Sequence, residues 1–319
     1  MTPVLRLSVV IPTYDRPDSL ARGLTALGDQ TYRGPLEVIV VDDGSQQPVD
    51  QVVARFRDGP AVTLLRQPNG GLAAARNRGA ARASGDVLLF LDDDIRPAPR
   101  FLAAHMAVHE SDDMAVALGS LPHPDDLEMT PFLYYLDRIV HYDLFKRYGS
   151  ADRIPLPPLN GNSSLRRAHF EAAGGYDLCF ASYGGEDTEM GYRLIRRGLR
   201  FVYAPDAAGY HYHRKGFDAY KRDMYSSGVT MVTIVRKHPE VLQRVKMDIV
   251  RGRFRELPRN KRWQRLVYRA LSGSAALRSA LELLLGFTAG RGWKRASYPL
   301  YLLLGHYHYA RGMEETLAG

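Results

Sequence analysis

Residues 86–97 read DVLLFLDDDIRP, an unbroken apolar run from Val87 to Leu91 that ends in three carboxylates. Such a run suits a strand buried on both faces, and open α/β sheets collect ligands outside the carboxyl ends of strands of this kind. Asp92, Asp93 and Asp94 are therefore expected at the rim of a ligand crevice. Carboxylates about 5 Å apart repel by roughly 3 kcal/mol at an effective dielectric near 20, so the trio favours a cation, and oxygen ligands suit a hard divalent one. A solvated turn or helix start is the plainer alternative, because Asp is common in both. Repetition shifts the balance. Residues 36–41 (LEVIVV) run into Asp42-Asp43-Gly44-Ser45, and residues 7–11 (LSVVI) break at Pro12 into Thr13-Tyr14-Asp15-Arg16-Pro17, a turn and helix-start composition. Three strand ends are expected to line one pocket.

Strands and helices alternate over residues 7–118. Strands are expected at 7–11, 36–41, 62–66 and 87–91, with helices near 19–30, 48–57, 72–83 and 99–109. That order predicts an α/β fold, a mostly parallel Rossmann-like sheet flanked by helices. Neither G-x-G-x-x-G nor a Walker A loop is present, so a standard dinucleotide fold and a P-loop enzyme are excluded. Acids would have to manage a ligand's phosphates, and they can do so only through a metal ion. Residues 119–160 are less regular, and the aromatic stretch 132–148 reads as an acceptor-binding segment or as an amphipathic helix with its linker.

The whole chain of 319 residues carries a formal charge of +8, unevenly spread. Residues 236–319 hold 17 Lys or Arg against 6 Asp or Glu, a balance of +11. Two domains are expected, 1–235 and a basic helical extension, 236–319. Its apolar blocks, 275–287 and 298–309, fall short of the roughly 20 residues that span a bilayer. Basic residues interleaved with Trp263, Trp293, Tyr298, Tyr301, Tyr307 and Tyr309 suit either an interfacial surface on an anionic membrane or a cap packed on the domain. No nucleic-acid motif is present. A single cysteine, Cys179, excludes an internal disulfide or a thiolate metal cluster. With no basic leader ahead of an apolar stretch, a cytoplasmic location is expected, either free or membrane-peripheral.

Downstream, Gly184-Gly185-Glu186-Asp187 precede a helical pattern that ends at Gly198. Glu186 and Asp187 fall in the first turn, where the helix dipole stabilises a carboxylate by about 0.3–1 kcal/mol. One of the two suits a general base; dipole compensation alone is the simpler reading. In the strand-like segment 200–212, His211 shares a strand face with His213, and either could ligate a metal.

Taken together, Pro12-Thr13-Tyr14, VVDDGS at 40–45, Asn69-Gly70-Gly71, residues 75–79 (ARNRG), LDDD at 91–94, GGYD at 174–177 and GGED at 184–187 resemble the family 2 glycosyltransferases. The resemblance covers about residues 7–235. It implies a GT-A fold and inverting transfer from a nucleotide-sugar, a UDP-sugar by analogy, to a hydroxyl of a glycan, a lipid-linked glycan or a small scaffold. It also implies Mn²⁺ or Mg²⁺ as cofactor. On this resemblance Asp43 and the main chain of Pro12, Thr13 and Tyr14 hold the base, and Arg76 lies near the nucleotide. Asp92 and Asp94 contact the ribose and metal, with Asp93 between them. Asp187 is the catalytic base, Glu186 meets the acceptor, His211 (or His213) adds a metal ligand, and the loop of Asn162 flanks the donor sugar. Two rivals remain from the residues themselves. A nucleotidyltransferase needs a basic, glycine-rich amino-terminal loop that residues 12–17 do not supply. A non-catalytic membrane- or polyanion-binding module would use only the basic extension.

Overall fold

In the computed structural model, which describes residues 4–56, 61–138, 154, 156–180, 184–212, 215–243 and 259–318, the three apolar runs become neighbouring strands. β1 (Leu7–Thr13) lies between β2 (Leu36–Asp42) and β4 (Val87–Leu91), parallel to both, and β3 (Ala61–Arg66) pairs outside β2. The run 87–91 is continuous because both faces of its strand are dry. Leu88 and Phe90 enter one apolar cluster, while Val87, Leu89 and Leu91 enter the other. Pro12 is tolerated within β1 because the pairing with β4 has already ended at Val10↔Phe90.

Three strands complete the sheet, in the order β3-β2-β1-β4-β7-β6-β8. β6 (Ala115–Gly119) and β8 (Arg200–Ala204) pair in parallel, and β7 (Asn162–Arg166) runs antiparallel between β4 and β6. Helices α1 (Pro17–Gly28), α2 (Asp50–Ala54), α3 (Leu72–Arg82) and α4 (Phe101–Ser111) connect the strands, and α6 (Arg167–Ala172) and α7 (Glu186–Arg196) follow β7. A separate two-stranded sheet pairs β5 (Ile95–Pro97) with β9 (Gly209–His211) antiparallel, Ile95 opposite His211.

β7 has no apolar signature: its sequence is NSSLR, and Asn162, Ser163 and Ser164 are fully buried. It is stable there because α4 supplies partners. His109 Nε2 lies 2.7 Å from the Ser164 hydroxyl, that hydroxyl 2.8 Å from His105 Nδ1, and His105 Nε2 2.9 Å from Asn162 Oδ1. Asn162 Nδ2 donates to the carbonyls of Ser120 and Ala207. One assignment satisfies the run with both imidazoles neutral: His109 donates to Ser164, Ser164 to His105, and His105 to Asn162. Burial lowers His105 to about 4 and His109 to about 3, the latter helped by the nearby His105 and Arg166. An unfolded chain takes up these protons near pH 6.5, before the native state does, so stability is full above 6.5 and falls as pH drops towards 4. We expect His109→Gln to make the fall between pH 6 and 4.5 shallower, by up to about 1.4 kcal/mol per pH unit, in denaturant melts. An unchanged slope would mean that His109 does not titrate with unfolding.

Two compact units result: Met1–Leu127 with His141–Ala181 and Glu186–His213, and Glu128–Val140 with Ser182–Gly185 and Arg214–Gly319. The first holds both sheets. The second is helical, with α5 (Pro131–Leu136), α8 (Phe217–Lys237), α9 (Arg259–Gly273), α10 (Ala275–Gly290) and α11 (Lys294–Ala318). The sequence reading starts the helical extension at 236, whereas α8 belongs to this unit as a whole. A Cβ on Gly228 would stand 2.1 Å from the Tyr309 carbonyl, and one on Gly312 2.1 Å from that of Tyr225. The backbones of α8 and α11 therefore touch, and no sequence break at 235 could separate them. Phe132 and Tyr135 of α5 pack with Tyr220 and Tyr301, so the described start of the aromatic stretch is core. The remainder of that stretch, from residue 139, lies outside the described residues.

Candidate active site at the strand ends

The carboxyl ends of β2, β1 and β4 stand side by side, and their loops are tied together by side chains. Asp15, the one described non-glycine residue at positive φ (51°), accepts from the main-chain N–H of Gln46 and Gln47, and its own N–H donates to Ser45 Oγ. Asp43 is almost fully buried and accepts from Gln67 Nε2 (2.6 Å) and from the N–H groups of Gly70 and Gly71 (2.9 and 2.8 Å). Its carboxylate thus shapes the loop that enters α3. The Thr13 carbonyl accepts from the Asp43 N–H, whereas the Tyr14 side chain is exposed. Pro12 is wholly inside the strand, so it contributes backbone shape only.

The acidic trio divides three ways. Asp92 accepts from Arg76 Nη2 at 2.8 Å, Asp93 from the Thr13 hydroxyl at 2.8 Å, and Arg16 Nη1 sits 3.1 Å from both Asp93 Oδ1 and Asp94 Oδ2. Burial pushes Asp93 up to about 6, against the opposing pull of Arg16. Asp94 also meets His211, with Nε2 3.2 Å from Oδ1, because β9 returns antiparallel along β5 immediately after the trio. His213 lies outside the described residues. Among the described residues no three His, Cys, Asp or Glu are grouped to hold a metal. Asp94 and His211 nonetheless fit one as a pair. Two ligands at right angles, each about 2.1 Å from one ion, stand about 3 Å apart, and the remaining positions commonly go to substrate phosphates and water. Asp92, one-third exposed, has Oδ1 engaged by Arg76.

Arg76, on α3, is 2% exposed. It lies 3.8 Å from Glu186 as well as against Asp92, and its guanidinium covers the Tyr176 ring at 5.3 Å. Tyr176 is fixed by a two-way amide clamp: Asn77 Nδ2 donates to its carbonyl and its N–H donates to Asn77 Oδ1. Gly174 and Gly175, at φ +84° and +70°, make the turn that presents it. The GGYD and ARNRG motifs are therefore two halves of one arginine socket. Glu186, at the start of α7, is buried beside Arg76. Burial, and next the Asp187 charge, push its carboxyl well above the usual range. Asp187 is half-buried; its Oδ1 accepts from Thr188 N at 2.7 Å, and its carbonyl from Leu159 N. The Asn162 side chain is fully buried and its amide bonds to His105, Ser120 and Ala207. The loop before it matters through Gly161, where an added Cβ would fall 1.9 Å from the Asp92 carboxyl carbon. Gly161→Ala should displace that carboxylate and weaken nucleotide binding at least tenfold by calorimetry; unchanged affinity would remove Asp92 from the site. From the sequence no role is assigned to Arg16, Asn77 or Tyr176, although each leaves a signal there: Arg16 as a cation in the turn after the first strand, Asn77 and Tyr176 as members of the ARNRG and GGYD motifs.

A mostly parallel sheet with acids at its strand ends and an acid-led helix beside them is a fold that suits a nucleotide-dependent transferase. Residues 8–171 match the family Glycosyl transferase family 2, and residues 157–215 match the N-terminal domain of galactosyltransferase. The validoxylamine A glucosyltransferase of Streptomyces hygroscopicus subsp. jinggangensis (strain 5008) is 32% identical over 263 residues, covering 74% of this chain and 62% of the relative. The chondroitin synthase of Escherichia coli is 28% identical over 267 residues, covering 73% of this chain but 38% of that enzyme. This chain thus spans less than two thirds of the length of both. Among solved structures, the mannosyltransferase PcManGT of Pyrobaculum calidifontis, in complex with GDP-Man and Mn²⁺, superposes with a TM-score of 0.61 at 20% identity, covering 96% of this chain and 88% of that one. S. aureus TarS 1–349 gives 0.56 at 19%, covering 98% and 91%. The chain belongs to glycosyl transferase family 2 and has the GT-A fold.

Proposed function

We propose that the protein is an inverting glycosyltransferase that moves a sugar from a nucleotide-sugar, a UDP-sugar by analogy with the family, to an acceptor hydroxyl. The observation that carries this reading is Asp187 in the first turn of α7, half-exposed beside a cluster of Arg76, Asp92 and Glu186 in which Arg76 and Glu186 are buried. Asp187 takes the proton of the acceptor hydroxyl while that oxygen attacks the anomeric carbon from the face opposite the leaving group. The new C–O bond forms as the bond to the nucleoside diphosphate breaks, and the diphosphate leaves with the electron pair. Inversion follows from opposite-face attack. Arg76, held charged between two carboxylates, supplies fixed positive potential near the diphosphate, where negative charge develops. Asp94 and His211 would hold a divalent ion, Mn²⁺ or Mg²⁺, which when bound neutralises charge on the diphosphate. Asp43 orders the loop from Gln67 to Gly71 that borders the base site.

Supporting the donor class, one solved relative is complexed with GDP-Man and Mn²⁺ and another with UDP-GlcNAc. The relatives include a validoxylamine A glucosyltransferase, a chondroitin synthase and a hyaluronan synthase, which supports both glycan and small-molecule acceptors. The test is a thermal-shift panel of UDP-, GDP- and dTDP-sugars with and without Mn²⁺. We expect one nucleotide-sugar to raise the melting temperature only with the ion present. At a hundredfold excess over Kd the gain corresponds to about 2.7 kcal/mol. No shift with any donor would overturn the reading.

A further inference from the structure

The helical unit leaves a continuous apolar face uncovered. On α10, at 100° per residue, Leu277, Ala280, Leu283, Leu284 and Phe287 fall within one arc of about 120°. Leu283 is 75%, Phe287 52%, Leu284 48% and Leu277 40% exposed. The inner side of the same helix is set by Leu285 and Thr288, which are buried. The turn after α10 continues the exposed face with Trp293, half exposed, whose ring meets Phe287 edge-on at 5.9 Å, and the Arg291 guanidinium lies 3.7 Å from the Phe287 ring centroid. An aliphatic face ending in an aromatic–arginine edge is the composition of a headgroup-level contact.

Charge identifies the occupant. Residues 259–295 carry nine Lys or Arg and one acid, Glu282, and Glu282 is bonded to Lys221 of α8 at 2.9 Å. A second copy of this chain would bring the same excess of positive charge to its own face, whereas an anionic lipid surface complements it. Among the described residues no single helix is long and apolar enough to cross a bilayer, and α9 and α10 pass that test only as a pair bent by 102°. Contact in the interface plane, about 15 Å along α10 from Leu277 to Phe287, is the geometry left to a face of this size. We propose that the Leu277–Phe287 face of α10, with Arg291 and Trp293 at its edge, is an interfacial docking surface for anionic bilayers.

Full-length protein should co-sediment with vesicles of phosphatidylglycerol and phosphatidylcholine (1:1), with at least tenfold weaker binding to phosphatidylcholine alone and a loss of binding in 0.5 M NaCl. Trp263 and Trp293 are the two tryptophans of the chain and both are exposed, so Trp263→Phe leaves Trp293 as reporter. Its emission should shift to the blue on adding the anionic vesicles. The triple variant Leu283→Ser/Leu284→Ser/Phe287→Ser, which changes exposed positions only, should lose binding at least tenfold while keeping the wild-type melting temperature. Arg291→Gln should weaken binding several-fold without altering the fold. Equal vesicle binding by wild type and triple variant would overturn the proposal. So would a dimer in light scattering that the triple variant converts to monomer while wild type ignores vesicles.

Discussion

Asp187→Asn is expected to lower kcat by about a thousandfold, roughly 4 kcal/mol in the activation barrier, while nucleotide-sugar affinity stays within a factor of two. The substitution is close to isosteric, and the two local bonds survive it. Asn retains an oxygen to accept from Thr188 N, and the main-chain carbonyl continues to accept from Leu159 N. What disappears is the ability to take a proton from the acceptor. On the proposed function donor affinity is set elsewhere, around Asp43 and Asp94 at strand ends and Arg76 on α3, so the two readouts separate base from scaffold. Glu186→Gln serves as the control, because Glu186 is buried beside Arg76 and its carboxyl is already driven towards neutrality. It should cost far less turnover. A collapse of kcat in Glu186→Gln with near-normal Asp187→Asn would exchange the two roles. A nucleotidyltransferase would instead consume a nucleoside triphosphate in the wild type, and a pure binding module would show no turnover to lose.

The strands that position this site were readable because both of their faces are dry and most of their positions are apolar, as all of residues 87–91 are. β7 is equally buried and was not readable, since its hydroxyls and amide are satisfied by histidines from α4 more than fifty residues away in sequence. Periodicity records hydrophobicity, and a polar strand stabilised by long-range hydrogen bonds leaves no such record. The same limit governs the site. The acids Asp43, Asp92, Asp94 and Asp187 were visible as acids next to strand and helix ends. Their partners were not, because Asp92 meets Arg76 through the placing of α3 and Asp94 meets His211 through the pairing of β9 with β5. Asn162 shows the converse hazard. Its motif position pointed to the donor, yet a strand alternates faces, and its side chain falls on the face that meets α4.

Arg76→Met should be the most damaging change in the sheet-bearing unit that leaves residue volume nearly unchanged. It removes the cation from a pair in which the arginine is almost fully buried and Asp92 one-third exposed, so we expect a loss of about 3 kcal/mol, the lower end for breaking a buried pair. The damage should depend on Glu186. Burial and the charge of Asp187 raise that carboxyl from its ordinary 4.5, and Arg76 opposes the rise. Without Arg76 the native-state value climbs further. A group raised in the folded state contributes stability that is complete below its unfolded pKa and is lost as pH rises through the folded one. Arg76→Met should therefore be closest to wild type near pH 4.5 and furthest from it at neutral pH and above. Adding Glu186→Gln replaces the stranded carboxylate with a neutral amide, and the double variant should recover at least about 1 kcal/mol at pH 7.5 relative to the sum of the single changes. Strict additivity across the pH range would show that the 3.8 Å approach of Arg76 to Glu186 carries no energy, and that Arg76 is held by Asp92 and the Tyr176 ring alone.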